Sequence, residues 1–184
     1  MSAALPASLR SDHSSNPFAQ LTVLVIDGQK PMRRFLGELL GDMGVQRVIT
    51  EGSCEAALAR LGGPVPIGLA LVDAAVESMD GIQFTQQVRQ VFTGARRALP
   101  IVLMMTLPTA GRICEARDAG VNDIMLKPVS IRSLGAKLTQ AVSGARPFID
   151  RPAYVGPDRR RGPRPDYRGP LRRLGDGVRS NIYV

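Results

Sequence analysis

Three charged residues stand where short apolar runs end. Asp27 follows Leu21–Ile26, Asp73 follows Ile67–Val72, and Lys127 follows Ile124–Leu126 and precedes Pro128. Taken singly, each has an ordinary explanation. An aspartate after a strand is often a loop cap, and a lysine is usually a solvated surface group. Taken together, two carboxylates and an ammonium suit the handling of a phosphoryl group. Mg2+ prefers hard oxygen ligands, commonly one or two carboxylates with phosphate and water. A lysine offers phosphate oxygens a compact positive charge.

Whether the three meet depends on the elements that carry them. Besides the runs just named, Val48–Thr50 and Ile101–Met105 are short and continuously apolar. Runs of this length fit strands buried on both faces of a parallel sheet. Helical spacing fills the gaps between them. Met32, Phe35, Leu36, Leu39, Leu40 and Met43 form one stripe, with Pro31 just ahead of them where a helix tolerates it best. Cys54, Ala57, Leu58 and Leu61 form a second, and Phe84, Val88, Val91 and Phe92 a third. Ile131, Leu134, Leu138, Ala141 and Val142 form the last, while Arg112–Ala119 carries only a weak one. Strand and helix thus alternate five times, the pattern of a doubly wound α/β domain. In such sheets the loops leaving the carboxyl ends of the strands build the site, so the three charges are expected at one edge.

Residues 21–143 resemble the bacterial receiver (response-regulator) family, which includes the chemotaxis regulator. The matching pieces are Val23-Leu24-Val25-Ile26-Asp27, Val72-Asp73, Met79-Asp80-Gly81, Leu99-Pro100-Ile101-Val102, Asp118-Ala119-Gly120-Val121 and Leu126-Lys127-Pro128. They cover about two-thirds of the chain in the family's order and spacing. The resemblance implies a flavodoxin-like, five-stranded parallel sheet of order 2-1-3-4-5 flanked by five helices, with disordered tails. It implies that Asp73 is the phosphoacceptor, attacking a phosphorylated histidine on a kinase or phosphotransfer protein. Lys127 would contact the phosphoryl oxygens, and its bond to Pro128 is often cis in the family. Mg2+ would be held by Asp27, Asp73 and the backbone carbonyl of Ala75.

Four positions depart from the family pattern. The second acid after the first strand is replaced by Gly28, which removes a direct carboxylate ligand and predicts Mg2+ binding that is weak or lost. Glu77 stands where a proline is common, four residues after Asp73. The hydroxyl expected at the end of the fourth strand falls on Met105, with Thr106 one residue late. Strand side chains alternate faces, so that offset turns the hydroxyl away unless a bulge restores it. Ile124 replaces the Tyr or Phe whose ring movement reports phosphorylation in the family. Two readings of the domain stay open: a working phosphoacceptor, or a pseudo-receiver in which Asp73, Asp27 and Lys127 form a structural ion cluster.

The flanks read differently. Residues 1–19 are rich in Ser, Ala and Pro and read as a flexible leader; residues 20–145 read as the receiver. Residues 146–184 are rich in Arg, Pro and Gly and carry a repeat, Tyr154-Val-Gly-Pro-Asp-Arg159-Arg160 and Tyr167-Arg-Gly-Pro-Leu-Arg172-Arg173. With few aliphatic residues this tail is expected to be disordered, or ordered only on binding. Arg159, Arg160, Arg172 and Arg173 would contact an acidic protein, anionic lipid or nucleic acid. The formal charge of +8 comes mainly from this segment. Residues 151–184 hold nine arginines and three aspartates, against 24 basic and 16 acidic residues in all. The high pI therefore describes the tail rather than the domain, which weakens a claim that the whole protein binds nucleic acid.

Composition excludes several classes. No apolar run approaches the roughly 18 residues of a membrane span, and the first twenty residues lack the apolar stretch of a secretory signal. Cys54 and Cys114 match no metal-ligand spacing and read as free thiols in a reducing cytosol. The only histidine is His13, and no nucleophile–base pair is evident, so an independent enzyme is not expected. The resulting expectation is a cytoplasmic, stand-alone receiver whose output is protein contact through about residues 108–142. The rivals are a phosphorylation-independent adaptor acting through its basic tail, and a nucleic-acid-binding protein that uses the receiver as an anchor.

Overall fold

A computed structural model describes residues 16–143 and 146–159. Five strands form one parallel sheet: β1 (Thr22–Ile26), β2 (Arg47–Glu51), β3 (Leu69–Asp73), β4 (Ile101–Met105) and β5 (Asp123–Leu126). Their order is β2-β1-β3-β4-β5, as expected. The connections are α1 (Lys30–Asp42), α2 (Cys54–Gly62), α3 (Gly81–Val91), α4 (Gly94–Arg97), α5 (Ala110–Asp118) and α6 (Ile131–Ser143). The sixth helix is the single turn α4, where the sequence offers no apolar stripe.

Every residue of the central strands β1, β3 and β4 is buried, which explains their unbroken apolar character. Alternation sorts their side chains into two layers. Leu24, Ile26, Ala70, Val72, Ile101 and Leu103 pack with α2, α3 and α5. Val23, Val25, Leu69, Leu71, Val102 and Met104 pack with α1 and α6. The helical stripes are wider than the faces actually buried: Phe35, Val91, Ile131 and Val142 are exposed. A helix lying on a sheet covers only part of its circumference.

Local chemistry sets the element ends nearest the site. Asp80 opens α3 with a capping box: its side chain accepts from the N–H groups of Ile82 and Gln83, and the Gln83 side chain accepts from the Asp80 N–H. Gly81 then lets α3 lie directly against the end of β3. A Cβ there would fall 2.6 Å from the Asp73 carbonyl oxygen and 2.5 Å from Leu103. Thr109 caps α5, its hydroxyl accepting from the Arg112 N–H at 3.3 Å.

Order extends beyond both expected boundaries. Residues 16–19, assigned to the leader, are fixed: Phe18 is buried in the α1–α6 layer, and the Asn16 amide donates to the carbonyls of Met43 and Gly44. Residues 1–15 lie outside the described residues. At the other end, residues 148–157 form an antiparallel hairpin, β6 (Phe148–Arg151) and β7 (Tyr154–Pro157), closed by a two-residue turn. The expectation of a disordered tail fails here for a physical reason: the hairpin borrows the domain's surface instead of building a core of its own. Residues 160–184, with Arg160, Arg172 and Arg173, lie outside the described residues.

The hairpin sits at the amino end of the sheet. Gly120, just past α5, has φ +90°, a conformation open to glycine. A Cβ on Gly120 would fall 2.5 Å from the Val155 carbonyl oxygen, so the two backbones meet with no room for a side chain. Beneath the hairpin lies Arg89 of α3, only 2% exposed. Its guanidinium donates to the carbonyls of Arg97, Leu99 and Gly120 and to the Asn122 amide oxygen. It also stacks with the Phe148 ring at 5.4 Å. Burial pulls the Arg89 pKa down to about 10, with the Tyr154 charge opposing, so it stays a cation at neutral pH. Carbonyls at the end of α5 suit a cation because the helix dipole is negative there.

Candidate functional site

The carboxyl end of the sheet gathers the charged residues. Asp27 leaves β1, Asp73 ends β3, and Lys127 leaves β5 through a cis bond to Pro128. Asp27 and Asp73 flank the point where the strand order reverses, the usual place for a ligand in an open α/β sheet. Both aspartates are buried, Asp27 fully. The Lys127 ammonium lies between them, 2.9 Å from Asp27 Oδ2 and 2.9 Å from Asp73 Oδ2. Burial lowers the lysine pKa, but hydrogen bonds to the two carboxylates and their charges outweigh it. The pKa therefore sits above the ordinary lysine value. Buried charges persist only when paired and hydrogen-bonded, and each member here depends on the others.

Backbone groups complete the pairing. Asp27 Oδ1 accepts from the Gln29 N–H at 2.8 Å, and Asp73 Oδ1 from the Ala75 N–H at 3.3 Å. Asp73, Ala75 and Lys127 line an open cleft of about 420 Å3 together with Gln29, Met105 and Thr106. At Gly28 nothing lies within 4 Å of where a Cβ would be, so the position of the missing acid is open space. Among the described residues no group of three or more His, Cys, Asp or Glu side chains could hold a metal. The carboxylate oxygen donors at the cleft are those of Asp27 and Asp73, with Ala75 lining it beside Asp73.

The departures on β4 and β5 take definite places. The β4–β5 register runs without a bulge, Met104 opposite Met125 and Met105 opposite Leu126. Met105 is buried in the layer that holds Ile101 and Leu103, and its carbonyl accepts from the Lys127 N–H at 2.8 Å. Thr106 is exposed, one residue past the strand, and lines the same cleft. Ile124 is half-buried against the α2–α3–α5 layer.

Two arginines at the site were not singled out by sequence. Arg33, in the first turn of α1, donates to the carbonyls of Asp27 at 2.6 Å and Gly28 at 3.1 Å, pinning the loop after β1. Arg112 of α5 lines the cleft and pairs with Asp80 at 2.8 Å and Glu115 at 2.8 Å, tying α5 to the cap of α3. Arg33 stands six residues after Asp27, one helical turn into an element whose start is marked by Pro31. That spacing is the one signal that could have found it. Arg112 lies 39 residues after Asp73 and carries no local signal.

Residues 23–139 match the model of the response regulator receiver domain. The chain belongs to that family. The receiver is 32% identical over 125 residues to the response regulator PleD of Caulobacter vibrioides, a match covering 67% of this chain and 26% of PleD. The chain therefore spans about a quarter of the length of that relative. It is 29% identical over 126 residues to a probable chemotaxis protein CheY of Rhizobium etli, covering 68% of this chain and 95% of that protein. Among solved structures, Vibrio cholerae chemotaxis protein CheY4 superposes with a TM-score of 0.61 at 22% identity, over 67% of this chain and 99% of the other. The receiver of sensor histidine kinase PA1611 from Pseudomonas aeruginosa, solved with magnesium in its active-site cleft, superposes with a TM-score of 0.61 at 20% identity, over 68% of this chain and all of that one. Among the described residues no helix is long and apolar enough to cross a membrane.

Proposed function

We propose that this receiver accepts a phosphoryl group on Asp73 within a cytoplasmic phosphorelay and acts by protein contact. The observation that carries this reading is the Lys127 ammonium held 2.9 Å from both Asp73 and Asp27 at the switch point of the sheet. An Asp73 carboxylate oxygen attacks the phosphorus of a phosphohistidine on a kinase or phosphotransfer protein. The phosphorus–nitrogen bond breaks, its electron pair returns to the imidazole, and an acyl phosphate forms on Asp73. Lys127 is in place to meet the phosphoryl oxygens, and the Thr106 hydroxyl lines the same cleft. Asp27, Asp73 and the Ala75 carbonyl are the residues that would hold Mg2+. The ion, when bound, neutralises charge on the transferring group. With two carboxylates instead of three it is held weakly.

The output surface is α5, β5 and α6, where Ile113, Leu126 and Ile131 are exposed, with Leu107 exposed in the loop before α5. Incubation with acetyl phosphate and Mg2+, read by intact mass, tests the reading. Wild type is expected to gain one phosphoryl mass and Asp73→Ala none. No gain in wild type, at high Mg2+ and with a phosphorylated histidine donor also supplied, would favour the phosphorylation-independent adaptor instead.

A further inference from the structure

The repeated segment is the one motif that phosphoryl chemistry does not use. Its first copy is docked on its own chain, at the end of the sheet opposite Asp73. Tyr154 donates its hydroxyl to the Pro157 carbonyl at 2.8 Å, folding the segment over itself. Gly156 lies flat on the domain, where an added Cβ would fall 2.7 Å from Gly120 Cα. The Arg159 guanidinium covers the Tyr154 ring at 3.9 Å and reaches Asp118, at the end of α5, at 3.2 Å. The acidic partner expected for Arg159 is thus in the same chain. The segment is paired along β6, its Tyr hydroxyl and Pro carbonyl bond each other, and it meets the domain through the Arg159 side chain and the missing side chain of Gly156.

The second copy keeps all four, as Tyr167, Gly169, Pro170 and Arg172. It differs at Arg168 and Leu171, in the places of Val155 and Asp158. Val155 meets Gly120 through its carbonyl oxygen, and Asp158 is held through its N–H on the Pro147 carbonyl. At those two contacts the Val155 carbonyl and the Asp158 N–H are backbone groups that any residue offers. The first copy is also releasable. A two-stranded hairpin is marginal by itself, and its exposed ion pairs, Arg159 with Asp118 and Asp150 with Arg97, contribute little.

We propose that the amino end of the sheet is a docking site for the Tyr-x-Gly-Pro-x-Arg-Arg segment, filled within the chain by the first copy. The second copy, Tyr167–Arg173, occupies the same site on a second copy of this chain, displacing that chain's first copy. Two chains doing so reciprocally close a two-fold dimer, the low-cost geometry of exchanged elements. The site is independent of Asp73 and of whether it is phosphorylated.

A fluorescent peptide spanning residues 163–176, titrated into the full chain, tests the docking. It is expected to bind roughly ten-fold more tightly than its Tyr167→Ala counterpart, the usual cost of losing an aromatic anchor. Tyr154→Ala in the protein, checked by circular dichroism, is expected to raise the affinity for the wild-type peptide several-fold by loosening the resident copy. Arg159→Ala serves the same purpose if Tyr154→Ala does not fold. Equal affinity for the two peptides would show charge attraction only and overturn the site, as would no gain on loosening the first copy. Sedimentation velocity of the full chain tests the exchange. A dimer that grows with concentration and is lost in Tyr167→Ala is expected; a monomer at every concentration would overturn it.

Discussion

At the scale of single residues, the site is defined as much by a missing side chain as by those present. Asp27 and Asp73 share one lysine, and the neighbouring Gly28 leaves open space where an acid is usual. Gly28→Asp therefore meets no steric obstacle and adds one hard ligand. Isothermal titration calorimetry is expected to show Mg2+ binding about ten-fold tighter in this variant. Unchanged affinity would mean that Gly28 is not the position of the lost ligand. Asp27, Asp73 and Lys127 were legible in sequence because each ends an apolar run. Arg112 was not, since its place at the cleft depends on how α5 leans on α3, which no local spacing encodes.

At the scale of elements, the helix caps do more than end helices. Asp80 starts α3 and also takes the Arg112 guanidinium of α5, so one carboxylate joins the two helices beside the cleft. Burial pushes its pKa up, but hydrogen bonds from the Gln83 N–H and Arg112, the Arg112 charge and the Ile82 N–H outweigh that and hold it below the ordinary value. A carboxyl with a depressed folded pKa stabilises the fold above its unfolded value near ~4, and that contribution is lost as pH falls through the folded value. Asp80→Ala is expected to cost about 1–2 kcal/mol at pH 7 in urea unfolding, with the deficit shrinking as the pH falls below the ordinary carboxylate range. A deficit independent of pH would contradict the assignment. The central strands β1, β3 and β4 were readable to within two residues, because burial on both faces leaves an unbroken apolar signature. The turn α4 and the exposure of Phe35 and Val91 were not, since neither follows from periodicity alone.

At the scale of the whole molecule, the tail is where sequence reasoning fell short. Counting aliphatic residues asks whether a segment can bury a core of its own. It does not ask whether the segment can complete someone else's. The hairpin closes over Arg89, whose donors satisfy the carbonyls of Arg97 at the end of α4, Leu99 before β4 and Gly120 just past α5. Arg89→Ala is expected to lower stability by about 3 kcal/mol, because it leaves those buried acceptors unpaired. The urea midpoint measures it, and a loss under about 1 kcal/mol would show that water replaces the guanidinium there.

Parallel strands give the sheet a direction, and that direction separates two occupancies. A five-residue strand spans roughly 16 Å, with Asp73 at its head and the hairpin seat at its foot. A phosphodonor closing over the head and a chain engaged at the foot do not compete for space. On the two proposals made above, the protein would be a coupling with two sockets, one worked by bond chemistry at Asp73 and the other by exchange of like segments.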